Sequence, residues 1–456
     1  MFRLGIDVDG SKTDAILMDQ DLNIVAGAKH PSTGDRISGI ESALVHLLQQ
    51  TDIDPREIRS VMIGTTHCYN ALREENNLAK VCAIRIGQAL GSIPPLFEGS
   101  ESLREAMGLI YHEVAGGHEV NGQMSDQPPS RERIETFLRS IDLDRFESFA
   151  ITSTFSPLNH GHEQMVADWI RETAGQEFSI TLSHDLGSLG FLERENATIL
   201  NAALSKVMMR ALQGLDRLLH RHGIEAMIYF TQNDGTLMSY DYALRYPIRT
   251  LQSGTTNSFR GASFLTDLNN CVIVDVGKKF THIGMLEEGF PKERWQTYRI
   301  AGVRVNLQMP EIVTLSFGAH EPVDDNMLDR IFQVIGRFQP RFEPLPIVFV
   351  GEGSAGIASR FKYPWSDVLH PRFHSYASSI GACIAPVSGQ VDRMYWLDEM
   401  TREDTLEMAK KEAVQKALLA GAVPESVVVQ SIKATPLAYI PSKALRVQVK
   451  AIGALS

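Results

Sequence analysis

The sequence predicts an α/β protein of two domains, with mixed sheets and a central cleft. Three observations predict it. The chain has 456 residues, more than one ordinary hydrophobic core takes up. Short apolar runs alternate with stretches of helical spacing. One distinctive stretch also occurs twice, first as Leu4-Gly5-Ile6-Asp7-Val8-Asp9-Gly10-Ser11-Lys12-Thr13-Asp14-Ala15-Ile16-Leu17 and later as Val272-Ile273-Val274-Asp275-Val276-Gly277-Lys278-Lys279-Phe280-Thr281-His282-Ile283-Gly284-Met285-Leu286. Each reads as strand, tight turn, strand, with an aspartate where the first strand ends. Aligning Asp7 with Asp275 puts Val8 on Val276, Thr13 on Thr281 and Asp14 on His282. A repeated hairpin predicts two related halves that face each other across a cleft.

The first hairpin carries chemistry. Gly10 lets the backbone approach a ligand and take unusual dihedrals. Successive N–H groups in such a turn form a concave anion site, and Ser11 and Thr13 add hydroxyl donors. Asp7 would face the phosphates of a nucleotide. A carboxylate tolerates that with a cation such as Mg²⁺ between, usually through waters. Asp275 would hold the same metal–nucleotide from the other side. The competing reading is two buried hairpins whose aspartates cap turns.

Composition narrows the class. Hydrophobic content of 43% and charged content of 22% suit a globular protein, and a net charge of −11 argues against nucleic acid or an anionic membrane as the main partner. The four cysteines, Cys68, Cys82, Cys271 and Cys383, form no C-x-x-C pair and no disulfide framework. With no apolar run near the length of a membrane span and no leader-like start, the expectation is a reduced, cytoplasmic protein.

In chain order, residues 19–23 read as a turn and 24–26 as a short strand. Residues 37–50 have helical spacing at Ile40, Leu44 and Leu47. A buried strand over 60–63 runs into Gly64-Thr65-Thr66-His67-Cys68-Tyr69-Asn70, hydroxyls at a strand end before a helix, suited to a ligand or to a cap. Residues 80–86 form a strand. The segment 87–130 is irregular apart from a helix over 103–109, which marks a lid or a loop. It contains Gly116-Gly117-His118-Glu119, where His118 suits acid–base work, a metal, or simply a surface turn.

Residues 131–140 form a helix and 149–155 a strand. His160, His162 and Glu163 lack zinc-site spacing, and Glu163 opens a helix to 173 instead. A strand covers 179–182, and the domain boundary falls at 185, giving domains 1–185 and 186–456. A long helix from Leu192 runs past Leu219 to a glycine stop at Gly223, with acidic residues in its first turn. Residues 226–231 form a strand and 232–235 a turn. A hydroxyl loop over 253–258 precedes a helix and the second hairpin. A strand over 347–350 leads into Gly351-Glu352-Gly353-Ser354, suited to close approach of an adenosine or phosphate. Helices follow over 376–385 and 401–419, the second with a Thr401/Asp404 capping box and a Gly421 stop. Strands over 426–432 and 445–452 end the chain.

This order of motifs resembles the A-type chain of the hydantoinase/oxoprolinase family, in its short form. The resemblance runs through LGIDVDGSKTDAIL, GTTHCYNAL, SHDLG, LERENATILNAAL, NDGTLM, SGTTNS and VDVGKKFTHIGML. It implies the actin-like ATPase (ribonuclease H-like) fold shared with sugar kinases and chaperone ATPases. It implies ATP and Mg²⁺ as cofactors, hydrolytic opening of a small cyclic amide of the hydantoin or 5-oxoproline type through carbonyl phosphorylation, and a B-type partner subunit. Position by position, Asp7, Gly10, Ser11, Lys12 and Thr13 match the first phosphate loop. Asp275, Gly277 and Thr281 match the second, and Gly351, Gly353 and Ser354 the adenosine-side turn. Thr65, Thr66, His67, Asn70, His118, Glu193, Glu195 and Asn196 are the substrate-side candidates.

The chain departs from the family at Asp9, Lys278, Lys279, His282 and Glu352. Two of these add negative charge where a triphosphate would lie, and the lysines offset it. The altered second loop favours an alternative, a non-catalytic relative that binds a ligand or partner through the same cleft. A small-molecule kinase of the same superfamily is a third reading, for which no residue names a hydroxyl substrate.

Overall fold

The computed structural model describes the chain apart from residues 11, 32–35, 88–92, 121, 126, 176, 295–296, 319–322, 341, 398–399, 438–443 and 456, so Ser11 lies outside the described residues. The chain opens with β1 (Phe2–Val8), β2 (Lys12–Asp19) and β3 (Ile24–Pro31), then α1 (Arg36–Gln49), β4 (Ile58–Thr65) and α2 (His67–Arg73). An inserted layer follows: β5 (Val81–Ile86), α3 (Glu101–Ala106), β6 (Ile110–Val114), α4 (Arg131–Ser140), β7 (Ser148–Ser153), α5 (Gly161–Ala174) and β8 (Ser179–Leu182). The long α6 (Phe191–Arg221) returns to β9 (Met227–Thr231), β10 (Leu237–Ser239), α7 (Tyr240–Arg245) and α8 (Ser253–Thr266).

The second unit holds β11 (Cys271–Val276), β12 (Thr281–Glu287), β13 (Phe290–Pro291), β14 (Tyr298–Ile300), β15 (Val303–Val305) and β16 (Ile312–Leu315). It continues through α9 (Asp325–Phe338), β17 (Ile347–Val350), α10 (Ser354–Ala358), β18 (Val368–Leu369) and α11 (Ala377–Ile384). Then β19 (Val387–Trp396), α12 (Arg402–Leu419), β20 (Val428–Leu437) and β21 (Ala444–Gly453) close the chain.

Strand pairing gives both halves one plan. The first sheet contains the order β3-β2-β1-β4-β9, antiparallel through β1–β3 and parallel from β1 to β9. The second contains β16-β12-β11-β17-β18 with the same directions. These are two ribonuclease H-like units, and the hairpin alignment read from sequence is their strand register: Asp7 pairs Asp14 as Asp275 pairs His282. Among the described residues the first sheet extends to nine strands through β10, β19, β21 and β20, so strands from both sides of residue 185 share it.

The main core lies under this sheet, where Leu4, Ile6, Val61 and Ile63 meet Leu44, Leu200 and Leu204. A second core packs α9 on β11 and β12 through Ile331, Ile335, Val274 and Ile283. A third packs α4 and α5 on the inserted parallel sheet β6-β5-β7-β8. Some expectations shift. The segment 87–130 contains β6, a strand with alternate residues exposed, and its helix is α3, earlier than expected. The spacing Met327, Ile331, Val334, Ile335, Phe338 builds α9, absent from the expected elements. The 253–258 stretch is the first turn of α8 and not a loop. The expected cap of α12 is present: Asp404 N–H donates to Thr401 Oγ1 at 3.1 Å. No helix of the described residues is long and apolar enough to cross a membrane.

Helices α8 and α11 cross between the two units with almost no side chain separating them. A Cβ on Gly261 would strike the Ala377 carbonyl, and one on Gly381 the Asn257 carbonyl. We expect Gly261→Val to cost about 1–3 kcal/mol or more. Gly336→Ala, on the open side of α9 where an added methyl meets nothing, should stabilise by about 0.5–1 kcal/mol. Urea denaturation of the two variants checks both signs.

Candidate functional site

The two hairpin tips converge on one gap. In the first, the turn is closed by Asp9, whose N–H donates to the Lys12 carbonyl at 3.0 Å and whose carboxylate accepts from Lys12 N–H at 2.7 Å. The departure at Asp9 is thus spent inside its own turn. Gly10 faces open space and has no positive φ, so the unusual dihedrals expected of it are not adopted. Asp7 is buried, and its Oδ1 has no hydrogen-bond partner among the described residues; the same holds for Thr13 Oγ1 and Asp14 Oδ1. A Cβ on Gly64 would collide with that Asp7 oxygen, so β4 can pass Asp7 only as glycine.

The second tip is closed by Gly277 N–H donating to Phe280 O at 2.9 Å. Thr281, the counterpart of Thr13, spends its hydroxyl on the Phe317 carbonyl at 3.0 Å, so it is not presented to a phosphate. Gly351 has φ +91° and packs on Asp275, where any Cβ would meet the carboxylate. Gly353 N–H donates to Val276 O at 2.9 Å, which ties the glycine turn to the second hairpin. Ser354 was expected at an adenosine. Its side chain is instead fully buried, donating to Gly351 O at 2.7 Å and lying 2.9 and 3.0 Å from the rings of His370 and His374. That hydroxyl shapes the turn.

Helices α8 and α11 join the tips. Gly254 in the first turn of α8 would place a Cβ 3.4 Å from Asp7 Oδ1, and Ser258 one turn on lies beside Asp275 and lowers it. Ser378 of α11 lies beside Asp7 and its hydroxyl pulls that carboxyl down against the effect of burial. The start of α8 has no side-chain cap, and the buried Ser253 hydroxyl has no partner among the described residues. Uncapped N–H groups at a helix start attract an anion.

Electrostatics follow from this crowding. Burial, then Asp9 and Asp14, push Asp7 up to about 7. Burial also raises Asp275, against the pull of His282 and Lys12. Burial lowers His282, which sits 3.0 Å from Thr314 Oγ1. Burial works against the charge of Lys12, yet Asp14, Asp9 and Glu352 hold it above the usual lysine range.

The Gly-Thr-Thr-His stretch lies alongside. Thr66 donates to Val8 O at 3.2 Å, Asn70 donates to Thr66 Oγ1 at 3.2 Å, and Thr65 Oγ1 bonds the His67 ring. Thr65, Thr66, His67 and Asn70 therefore brace the end of β1.

The remaining candidates gather elsewhere, at the carboxyl ends of β5–β8, where parallel sheets present ligands. His118 is buried, lies against the tilted ring of His162 with centroids 4.4 Å apart, and is lowered to about 4 by burial and then His162. Glu163, fully buried, accepts from Ser153 N–H at 2.8 Å and Ser183 Oγ at 2.5 Å and lies 2.6 Å from His184 Nδ1. Burial raises Glu163, but His184 and Arg194 overcome this and bring it to about 2. Arg194 donates to Ser153, Ser188 and Leu189 carbonyls.

Glu195 and Asn196 were expected to face substrate, but both are spent internally. Glu195 holds Arg85 in a two-point pair at 2.8 and 2.6 Å, and Asn196 donates to Arg304 O at 2.9 Å. Glu193 is partly exposed near Arg304. Ser258 falls in the hydroxyl stretch read from sequence, whereas Arg85 and Ser378 carry no motif of their own and sequence reasoning missed them; only their neighbours reveal them. Among the described residues no group of three or more His, Cys, Asp or Glu side chains is arranged to hold a metal ion.

Two ribonuclease H-like units around one cleft define an actin-like ATPase fold, and solved structures agree. The chain superposes on the ATP-dependent caprolactamase of Pseudomonas jessenii with TM-score 0.78, covering 100% of this chain and 88% of that one at 16% identity. A nucleotide-free acetone carboxylase structure gives TM-score 0.68, covering 99% and 88% at 13% identity. Residues 3–174 match the hydantoinase/oxoprolinase N-terminal region and residues 194–353 match hydantoinase/oxoprolinase. The chain belongs to the hydantoinase/oxoprolinase family. It is 23% identical over 337 residues to caprolactamase subunit alpha of the same bacterium, matching 70% of this chain and spanning about half, 48%, of that curated relative.

Two expected outcomes test this account. The folded protein holds the Asp7 proton more tightly than the unfolded chain, so its contribution to stability is present below 3.8 and is lost as pH rises through about 7. Asp7→Asn should therefore raise stability at pH 8 by on the order of 1–3 kcal/mol and change it little at pH 4. Arg85→Met leaves Glu195 buried and should cost about 3–5 kcal/mol, with partial recovery in the Arg85→Met/Glu195→Gln double variant. Denaturant midpoints read both.

Proposed function

We propose that this chain is an ATP-dependent hydrolase that opens a small cyclic amide, of the hydantoin or 5-oxoproline type, through phosphorylation of its carbonyl oxygen. One observation carries the reading. Two hairpin carboxylates, an uncapped helix start and a glycine turn come together, with Asp7 packed against Gly64 and the Gly254 turn of α8 and Asp275 against Gly351. The activities named for the family relatives support it. A B-type subunit completing the reaction is part of the proposal, supported by the relative's description as a subunit alpha.

The reaction balances simply. The amide oxygen attacks the γ-phosphorus, the bond to the β-phosphate oxygen breaks, and ADP leaves. Water then adds to the activated carbon, the ring C–N bond breaks to leave a free amine and an acyl phosphate, and a second water cleaves the acyl phosphate into the carboxylate of the ring-opened product and phosphate. The chain's part is to align the triphosphate and stabilise its charge. The start of α8 would cradle phosphates, and the Gly351–Gly353 turn would pass close to the nucleoside. Asp7 and Asp275 are the residues that family resemblance offers to Mg²⁺. Their surroundings do not form a resident metal centre: Asp14 and Glu352 already share Lys12.

ADP release on adding hydantoin, 5-oxoproline or caprolactam to the chain with ATP, alone and with a B-type subunit, tests the proposal. Asp7→Asn and Asp275→Asn should each lower turnover by at least about a hundredfold. Turnover unchanged in both would count against the assignment. Absence of saturable nucleotide binding in calorimetry would favour the non-catalytic relative, as the altered second hairpin does.

A further inference from the structure

Lys12 stands at a junction that belongs to both halves. Its Nζ lies 2.5 Å from Asp14 Oδ2 and 3.7 Å from Glu352 Oε2. Asp14 is paired across the first hairpin with Asp7, so the two carboxylates share a face of the sheet. Glu352 follows Gly351, the residue packed on Asp275 of the second hairpin. Lys12 is thus an ammonium bridge from one phosphate hairpin to the turn that holds the other. The carboxylates around it are Asp7, Asp9, Asp14, Asp275 and Glu352, all within electrostatic reach.

The neighbouring lysine is placed differently. Lys29 lies 3.6 Å from Asp14 Oδ2, but it donates to the Ser375 carbonyl at 2.6 Å and sits over the Tyr376 ring at 4.3 Å. Those contacts fix it to the protein. Lys12 has a releasable partner instead, since the Glu352 side chain is 41% exposed and bridged at a longer distance. A flexible four-carbon stem with three donors suits a point charge that changes partners. Carboxylates brought this close would ordinarily recruit a divalent ion, yet a cation supplied by the chain already stands among them.

Resting on the nucleotide reading above, we propose that Lys12 is the built-in counter-cation of this site: its ammonium leaves Glu352 for a phosphate oxygen of the incoming nucleotide, so that binding needs no divalent metal ion. The chemistry is ion exchange, and no bond is made or broken. Glu352 stores the lysine in the unliganded state and Asp14 keeps it on the correct face. A position in the turn that looked hostile to a triphosphate is then the resting place of the charge that meets it.

Calorimetry with the non-hydrolysable β,γ-imido analogue of ATP, in excess EDTA and in excess Mg²⁺, tests this. The wild-type chain should bind in EDTA within about threefold of its affinity in Mg²⁺. Lys12→Met should lose at least about tenfold in EDTA, and Lys12→Arg, which keeps the charge, should retain binding. Titration of Mn²⁺ alone, followed by electron paramagnetic resonance, gives a second readout. The wild type should leave the ion free, and Lys12→Met, with its carboxylates uncovered, should take it up. Wild-type binding that disappears in EDTA overturns the role of Lys12 and leaves the nucleotide reading standing. So does a Lys12→Met variant that binds like wild type in EDTA. No binding of the analogue under either condition overturns both. If circular dichroism finds Lys12→Met unfolded, the wild-type comparison and Lys12→Arg decide.

Discussion

The close crossing of α8 and α11 is the constraint from which the site is built. Two backbones meet where Gly261 and Gly381 leave no room for a side chain. That contact sets the distance between the two ribonuclease H-like units. The same helices then supply the groups that reach the hairpins: Gly254 and Ser258 from α8, Ser378 from α11. A wider crossing would separate the hairpin tips and dissolve the gap. Packed cores on either side, each with its own sheet and helices, make the arrangement rigid.

Rigidity allows the cleft to hold like charges together. Asp7, Asp9 and Asp14 crowd one tip, and Asp275 stands at the other. Burial and mutual repulsion raise Asp7, a local destabilisation that the surrounding packing sustains. The two hairpins share a backbone plan but not a chemistry. Thr13 keeps an unused hydroxyl where Thr281 has spent its own, and Asp14 faces Asp7 where His282 faces Asp275. Duplication supplied the frame, and side chains made the halves unequal.

The crevice above β5–β8 obeys the opposite rule. There Glu163, Arg194, Arg85 and Glu195 are buried but saturated with partners. Charges in a low-dielectric interior persist when every donor and acceptor is met. Residues that read as reactive in a motif are here the struts of the layer, while His118 and His162 each keep one buried ring nitrogen without a partner among the described residues.

Local pattern was enough for much of this. The hairpins, the buried strand before Gly64, the long α6 and the capped α12 each follow from spacing, capping residues and glycine stops, which act over a few residues of chain. The internal repeat told of two halves because the same strand–turn–strand pattern, with an aspartate at the same point, recurs in both. What the residues alone left open were the interactions between distant segments: the strands that β19, β20 and β21 add to the first sheet, the spending of Ser354 and Glu195 inside the fold, and the position of Lys12 between two carboxylates hundreds of residues apart in the chain. Backbone propensity and periodicity are properties of neighbours, so sequence determined the elements and their duplication. Charge pairing, desolvation and steric exclusion depend on who is near in space, and only the tertiary structure decided those.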